Sequence, residues 1–434
     1  MSKYIGRPYN DSKGAIREVL INYHPSTHYT IDQTIAAMPH VHFLLFEGWN
    51  QEEYTEEMEK KGVEILRAGS NTYFDQWKAI ADNHGSVSDF LSLYPDWIKR
   101  ASMYEIQSQT DDPDYIAVKS VLELAALFHG ASNFRHESAI GLYADQIVSK
   151  YPDRVTYVKV DYHLQHFARD TITALHNNGS RIIIPASPGM TDDEIMLQLG
   201  DGSYEQADEP IWNERGYEVH SGLDIKSIVG GQIVANADTV FVGMNSFEES
   251  IFFRGKSESD EELQRIIGEL NLVSYRVPNI YEHVDVFLSP ITDEDILISD
   301  PEETMKLLDD RRLLTPEDRE LTTGYVYFCN ELKADMHRRK LNPVSVPFLI
   351  SPDSTFSTMF SYANVLHEDD TLYAPKRGAK NVSERLREIG AVLDDSFLET
   401  ASRFKHVVPV RGFDLADSWR NAGLRCMANV IWRE

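Results

Sequence analysis

Only two cysteines, Cys329 and Cys426, occur in the 434 residues. Two thiols make no disulfide framework, and neither lies in a CxxC pair or a Cys/His cluster with zinc-ligand spacing. Positive charge is also scarce. Lys and Arg number 42 against 69 Asp and Glu, a formal net charge of −27. Nucleic acid is thereby disfavoured as a partner, because phosphate binding needs clustered basic side chains. Anionic membrane surfaces are disfavoured for the same reason. No apolar run approaches the length of a membrane span. The opening residues, Met1-Ser2-Lys3-Tyr4-Ile5-Gly6, hold no apolar signal core, so the expected compartment is the reducing cytoplasm. A glycine loop of the phosphate-cradling type is missing too.

Apolar residues make up 42% of the chain and aromatics 11%, enough for a sizeable core. Ala15 to Pro25 reads as a strand ended by a proline turn, and His40 to Glu47 as a second apolar strand. Gln51 to Gly62 carries helical periodicity with Glu/Lys pairs, and Val63 to Leu66 returns as a strand. Residues 71–150 differ. Phe74, Trp77, Ile80, Phe90 and Leu93 recur at helical spacing, and a mainly helical insertion is expected there.

Strand patterns then resume. Val155 to Val160 is one, and Ile172 to Leu175 turns at Asn177-Asn178-Gly179 into Arg181 to Pro185, a strong hairpin signal. Ile225 to Val234 with Thr239 to Gly243, Val284 to Ser289 with Asp295 to Ser299, and Phe360 to Leu366 with Thr371 to Pro375 predict three more hairpins. Helices are predicted over Ser257 to Leu270, Glu302 to Lys340 and Val382 to Ile389, the last ended by Gly390. Phe404 to Pro409 is a further strand. A unit of hairpin, helix and strand thus recurs about five times, which suggests radial or stacked repetition.

Four stretches carry chemistry. Near the C-terminus, Gly423-Leu424-Arg425-Cys426-Met427 leads a cysteine out of a glycine turn into an apolar strand. Glycine permits a tight turn and a close approach, and a cysteine after it can sit at a pocket rim. His283-Val284-Asp285 would put a histidine and a carboxylate on one face of a strand, a pairing suited to general acid and base work. Phe167-Ala168-Arg169-Asp170-Thr171 enters one hairpin, and Val229-Gly230-Gly231-Gln232 enters another. Each has a bland reading as well: a buried small thiol, a satisfied histidine, an Arg–Asp structural pair, a glycine bend. Taken together they form a Cys, His and carboxylate set scattered over the chain, as expected for a nucleophilic cysteine whose partners meet only in the fold. Cys329, in the apolar run Tyr325 to Cys329, reads as a structural thiol.

In the order and rough spacing of these stretches the chain resembles the guanidino-group-modifying (pentein) superfamily of arginine deiminases, agmatine deiminases and amidinotransferases. Ala168-Arg169-Asp170-Thr171 resembles its first guanidinium-binding stretch, His283-Val284-Asp285 its His-x-Asp stretch, and Gly423 to Met427 its nucleophile stretch. Val19 to Leu66 resembles its first blade, and residues 71–150 stand where arginine deiminases carry an extra helical domain. The resemblance implies an α/β fold, a five-bladed ββαβ propeller, with residues 1–434 as one catalytic domain and 71–150 inserted in it. It implies Cys426 as nucleophile, His283 as acid and base, and Asp170 and Asp285 as carboxylates that hold a guanidinium bidentately. Arg169, Gln232, Asn364 and Arg425 are the implied substrate-binding residues. No metal and no organic cofactor is implied. The implied partners are a small guanidino substrate and, in the case of transfer, an amine acceptor; whether the chain forms a homo-oligomer is left open by the sequence.

Two departures shape the expectation. Val229 and Gln232 stand where arginine deiminases show the carboxylates of Glu-Gly-Gly-Asp. Asn245 to Ser250 and Asn421 stand where those enzymes carry arginines for the substrate carboxylate, with Arg254 and Arg420 displaced nearby. The leading expectation is therefore transfer of an amidino group to an amine, with a deiminase-type hydrolase as the alternative. A binding protein without turnover is the alternative of a different class.

Overall fold

The computed structural model describes residues 4–23, 27–48, 143–159, 168–170, 172–185, 209–220, 230–245, 263–264, 266–268, 270–277, 283–352, 357–377, 383–411 and 423–434. Most of the expected helical insertion, the readings at Gln51 to Leu66, and Val229, Arg254, Arg420 and Asn421 lie outside them.

The strand that follows Gly14 is β2 (Ile16–Asn22), whose side chains are nearly all buried. A strand covered on both faces loses the polar alternation of a half-exposed one. It is followed by α1 (His28–Ala37), which buries Ile31 and Ile35 one turn apart, and then by β3 (His42–Glu47), parallel to β2. The parallel neighbour of β3 is β4 (Val155–Lys159), which follows α2 (Ala144–Lys150). The outer neighbour of β2 is the last strand, β18 (Ala428–Arg433), antiparallel to it. The second and the last strands of the chain therefore share one sheet. Backbone bonding at the rim extends this, with the Glu434 N–H donating to the Ala15 carbonyl.

Among the described residues, four further sheets follow. In the next, β5 (Ile172–Asn177) and β6 (Ser180–Pro185) form the predicted hairpin. Asn178 and Gly179 take φ of 48° and 90°, the left-handed pair that a tight two-residue turn requires. The short β1 (Arg7–Pro8) flanks β5, and β7 (Tyr217–Val219), after α3 (Glu209–Glu214), runs parallel to β6. The third sheet pairs β8 (Ile233–Ala235) with β9 (Thr239–Asn245) antiparallel and adds β10 (Asn271–Val277) parallel to β9.

In the fourth, β11 (Leu288–Pro290) pairs with β12 (Asp295–Asp300), and β13 (Asn342–Pro352) runs parallel to β12 and antiparallel to β14 (Ser357–Ser361). Between β12 and β13 the charged segment forms three helices, α4 (Pro301–Asp310), α5 (Pro316–Thr323) and α6 (Val326–Arg338). Asp300 caps α4, and Thr315 with Asp318 makes a capping box on α5; each helix opens on a proline, whose missing N–H costs nothing there. The fifth sheet joins β15 (Leu366–His367), β16 (Thr371–Pro375) and, past α7 (Glu384–Ala401), β17 (His406–Val410). Among the described residues, all five sheets thus repeat one order, an antiparallel pair and a strand parallel to its second member, and in four of them α1, α3, α4 to α6 or α7 lies between.

Several local expectations are corrected. Gly230–Gln232 and Val284–Val286 are 3-10 turns that precede their strands rather than parts of them. Phe360 and Ser361 belong to β14, in the sheet before the fourth hairpin. Helix α7 runs through Gly390 instead of ending there. A Cβ at Gly390 would lie 2.3 Å from the Arg377 carbonyl oxygen, so this glycine serves a close approach and not a cap. Among the described residues, no helix is long and apolar enough to cross a membrane.

Candidate active site

Gly423 is extended, and Leu424–Met427 then forms α8, a single helical turn that delivers Cys426 directly before β18. This turn is fastened to Asn364, which is wholly buried between β14 and β15. The Asn364 carbonyl accepts from the Leu424 N–H at 3.2 Å. Its side-chain Oδ1 accepts from the N–H groups of Arg425 and Cys426 at 2.8 and 3.3 Å. Its Nδ2 lies 3.2 Å from Cys426 Sγ. A Cβ at Gly423 would fall 2.4 Å from both Cβ and Oδ1 of Asn364, so only glycine fits at the start of the turn.

His283 and Asp285 also approach the thiol. One ligand-type atom each from His283, Asp285 and Cys426 lie within 4.8 Å of one another, and all three residues are buried. The alternation of a strand does not bring the pair together, since His283 is extended and the chain then turns tightly over Val284–Val286. That turn is anchored by its own last carbonyl. Val286 O accepts from Ser299 Oγ at 3.0 Å and from Ser361 Oγ at 2.6 Å. The imidazole of His283 packs flat on the Gly230–Gln232 turn. A Cβ at Gly231 would lie 2.7 Å from His283 Nδ1 and 2.8 Å from Cε1, which explains the glycine that sequence reasoning took for a bend.

The turn Ala168–Asp170 packs against both the nucleophile turn and the Gly230–Gln232 turn. Its Arg169 is buried, donates to the Ile233 carbonyl at 2.7 Å, and sets Nε 3.3 Å from Asp285 Oδ2. Arg425 is 1% exposed: its Nε is 4.0 Å from Asp285 Oδ2, and its terminal nitrogens meet Ser289 Oγ at 3.2 Å and Asp11 Oδ2 at 2.7 Å. Asp11 is further tied to β8, accepting from the Ala235 N–H at 2.8 Å. A buried chain of alternating charge results: Arg169, Asp285, Arg425, Asp11.

Burial pushes the Asp285 carboxyl above the usual range; Arg169, His283 and Arg425 oppose the shift without cancelling it. Burial would raise Asp11 as well, but Arg425, Arg169 and Arg433 outweigh it and hold Asp11 below the usual range. Burial lowers Arg169, with Arg425 adding to the effect. Neither oxygen of Asp285 accepts a hydrogen bond among the described residues; Oδ2 is held in its ion pair with Arg169.

Of the residues singled out from sequence, Cys426, His283, Asp285, Arg169, Asn364 and Arg425 meet in one cluster. Gln232 is buried in the turn that carries Gly231. Asp170 closes the Ala168–Asp170 turn, while its side chain lies outside the described part. Asp11, Ser289 and Asn429 were missed. Asn429 Nδ2 donates to the Ala168 and Ile172 carbonyls at 3.3 and 3.0 Å, tying β18 to the Arg169 turn. Tyr9-Asn10-Asp11-Ser12 reads only as a polar loop, and nothing local marks it. Cys329 is buried in the core between α6 and its sheets, and burial pushes its thiol well up, in keeping with a structural role.

No protein-family model and no curated protein sequence matches the chain. Solved structures do. The agmatine deiminase of C. jejuni is 10% identical with a TM-score of 0.54, over 98% of this chain and 95% of that one. A Cys→Ser variant of that enzyme with substrate bound is 9% identical, again with a TM-score of 0.54 and the same coverage. A protein proposed to be a peptidyl-arginine deiminase is 12% identical with a TM-score of 0.56, over 99% of each chain. At such identities the likeness is one of fold, and across nearly its whole length this chain has the α/β fold of the pentein structures.

Proposed function

We propose that this protein is a cysteine-dependent enzyme acting at the central carbon of a guanidino compound. The observation that carries the reading is the buried meeting of Cys426, His283 and Asp285, with their reactive atoms within 4.8 Å. We read the five sheets as the blades of a five-bladed propeller, the first blade closed by β18 from the far end of the chain. This is supported by the repeated strand order and the β18–β2 pairing.

The chemistry follows from the groups present. Asp285 accepts hydrogen bonds from the substrate guanidinium, with the Asp170 carboxyl as its expected counterpart. The Cys426 thiolate attacks the guanidino carbon and forms a C–S bond. His283 gives a proton to the departing nitrogen as the C–N bond breaks, and an amine leaves. The second nucleophile then loses its proton to His283, attacks the same carbon, and releases the thiolate.

Two outcomes divide on which nitrogen leaves and which nucleophile arrives. In amidino transfer the substituted amine departs and a different amine replaces it. This is our first reading, supported by the neutral, buried Gln232 where arginine deiminases have a carboxylate. In hydrolysis ammonia departs and water attacks, leaving a ureido product. The second reading is favoured by the fold likeness to the C. jejuni agmatine deiminase. Incubation with L-arginine or agmatine, with and without glycine or lysine, separates them. Release of ornithine or putrescine only with an added amine supports transfer, ammonia with a ureido product supports hydrolysis, and no product from a guanidino panel contradicts both.

A further inference from the structure

Asn364 was expected to bind substrate, but its side chain is spent on the nucleophile. The two backbone N–H groups of Arg425 and Cys426 point at one end of its amide, 2.8 and 3.3 Å away. Backbone N–H groups only donate, so that end must be the carbonyl oxygen. The other end, the NH2 group, therefore faces Cys426 Sγ at 3.2 Å. Gly423 packs against the same amide so closely that a Cβ there would lie 2.4 Å from Asn364 Oδ1. The amide thus presents a fixed donor to the sulfur from a wholly buried position.

A donor aimed at sulfur favours the thiolate over the thiol, because the anion is the stronger acceptor. We infer that Asn364 is a positioning residue for the reaction: it aims Cys426 Sγ and stabilises it as the thiolate, through a side-chain amide bonded to both the backbone and the sulfur of the nucleophile turn. The inference takes the nucleophilic role of Cys426 from the function proposed above, but its readout needs no substrate. The charged and titratable groups around the sulfur are His283 and Asp285 from the Val284–Val286 turn, Arg169 from the Ala168–Asp170 turn, and Arg425 with Asp11 behind it. None is altered in the variants below.

The test is the rate of alkylation of the intact protein by iodoacetamide as a function of pH, followed by mass. Cys329 is buried in the core with its thiol pushed up, so the reaction reads Cys426, and Cys426→Ser is the blank. Asn364→Leu is expected to move the alkylation midpoint up by about one pH unit. Asn364→Asp, which keeps an oxygen for the two N–H groups, is expected to move it further, because a carboxylate then faces the sulfur. A folded Asn364→Leu protein with the wild-type midpoint would overturn the inference. Should that variant not fold, the wild type decides. In protein labelled with 15N-asparagine, the side-chain amide resonance missing from Asn364→Asp must move as Cys426 ionises, and a resonance that stays fixed overturns the inference. A shifted midpoint with no turnover of any guanidino compound would instead sink the proposed function and leave the role of Asn364 standing.

Discussion

Asp11 sits at one end of the chain and Arg425 at the other, and they pair at 2.7 Å with Arg425 buried and Asp11 partly so. Replacing Asp11 by Asn leaves the Arg425 guanidinium short of its partner in a place water cannot reach. A loss of about 3 kcal/mol at neutral pH is expected, measured by urea unfolding. The sign with pH follows from the depressed Asp11 carboxyl. A carboxyl lowered on folding stabilises the protein above its unfolded value near about 4 and loses that contribution as pH falls through the folded value. The gap between wild type and Asp11→Asn should therefore close in acid. Gly231→Ala is the complementary case. Its Cβ would collide with His283 at 2.7 Å, so the ring must shift. Turnover should drop by about 100-fold while the unfolding midpoint barely moves. The sequence singled out Cys426, His283 and Asp285 because reactive residue types in short stretches are recognisable wherever they fold. It did not reveal Asp11 or the service of Gly231, since each is defined only by what distant chain brings against it.

At the scale of elements, turn chemistry was the most legible feature. Asn178-Gly179 supplies two left-handed residues and fixes the β5–β6 hairpin whatever surrounds it. Helix α1 escaped notice because its apolar stripe is short, with Ile31 and Ile35 as its buried aliphatic pair. The 3-10 turns at Gly230–Gln232 and Val284–Val286 escaped because their residues also suit a strand, and tertiary bonds such as those to Val286 O decide between the two. Gly390 misled for a related reason: glycine ends helices often, yet here it lets α7 pass the Arg377 carbonyl. The prediction has an unusual sign. Glycine to alanine inside a helix ordinarily stabilises by about 1 kcal/mol. Gly390→Ala should destabilise by about 1–3 kcal/mol, because the methyl has no room. Thermal unfolding of the pair checks it, and a raised midpoint would refute the packing argument.

For the whole molecule, the repeated unit of antiparallel pair, helix and parallel strand could be read from pattern. The choice of partners could not. The sheet that begins with β2 takes β4 from beyond residue 150 and β18 from the C-terminus, a choice set by which edges remain unpaired when everything else has packed. Cys426 lies in the turn that enters β18, so the strand that pairs with β2 also holds the proposed nucleophile in place. Deleting residues 428–434 removes β18 and bares β2, and the shortened chain should lose its cooperative unfolding transition, not merely the site. A truncated protein that still unfolds cooperatively would mean that the first sheet stands without its C-terminal strand.

The central claim is that Cys426 attacks a guanidino carbon. Intact-protein mass spectrometry after rapid acid quench, with L-arginine and agmatine each in turn, tests it most directly. The account predicts one adduct per chain, of the mass of the guanidino carbon with its remaining substituents, mapped to the Cys426 peptide and missing from Cys426→Ser. An adduct that survives in Cys426→Ser, or product formation by that variant at the wild-type rate, would contradict it.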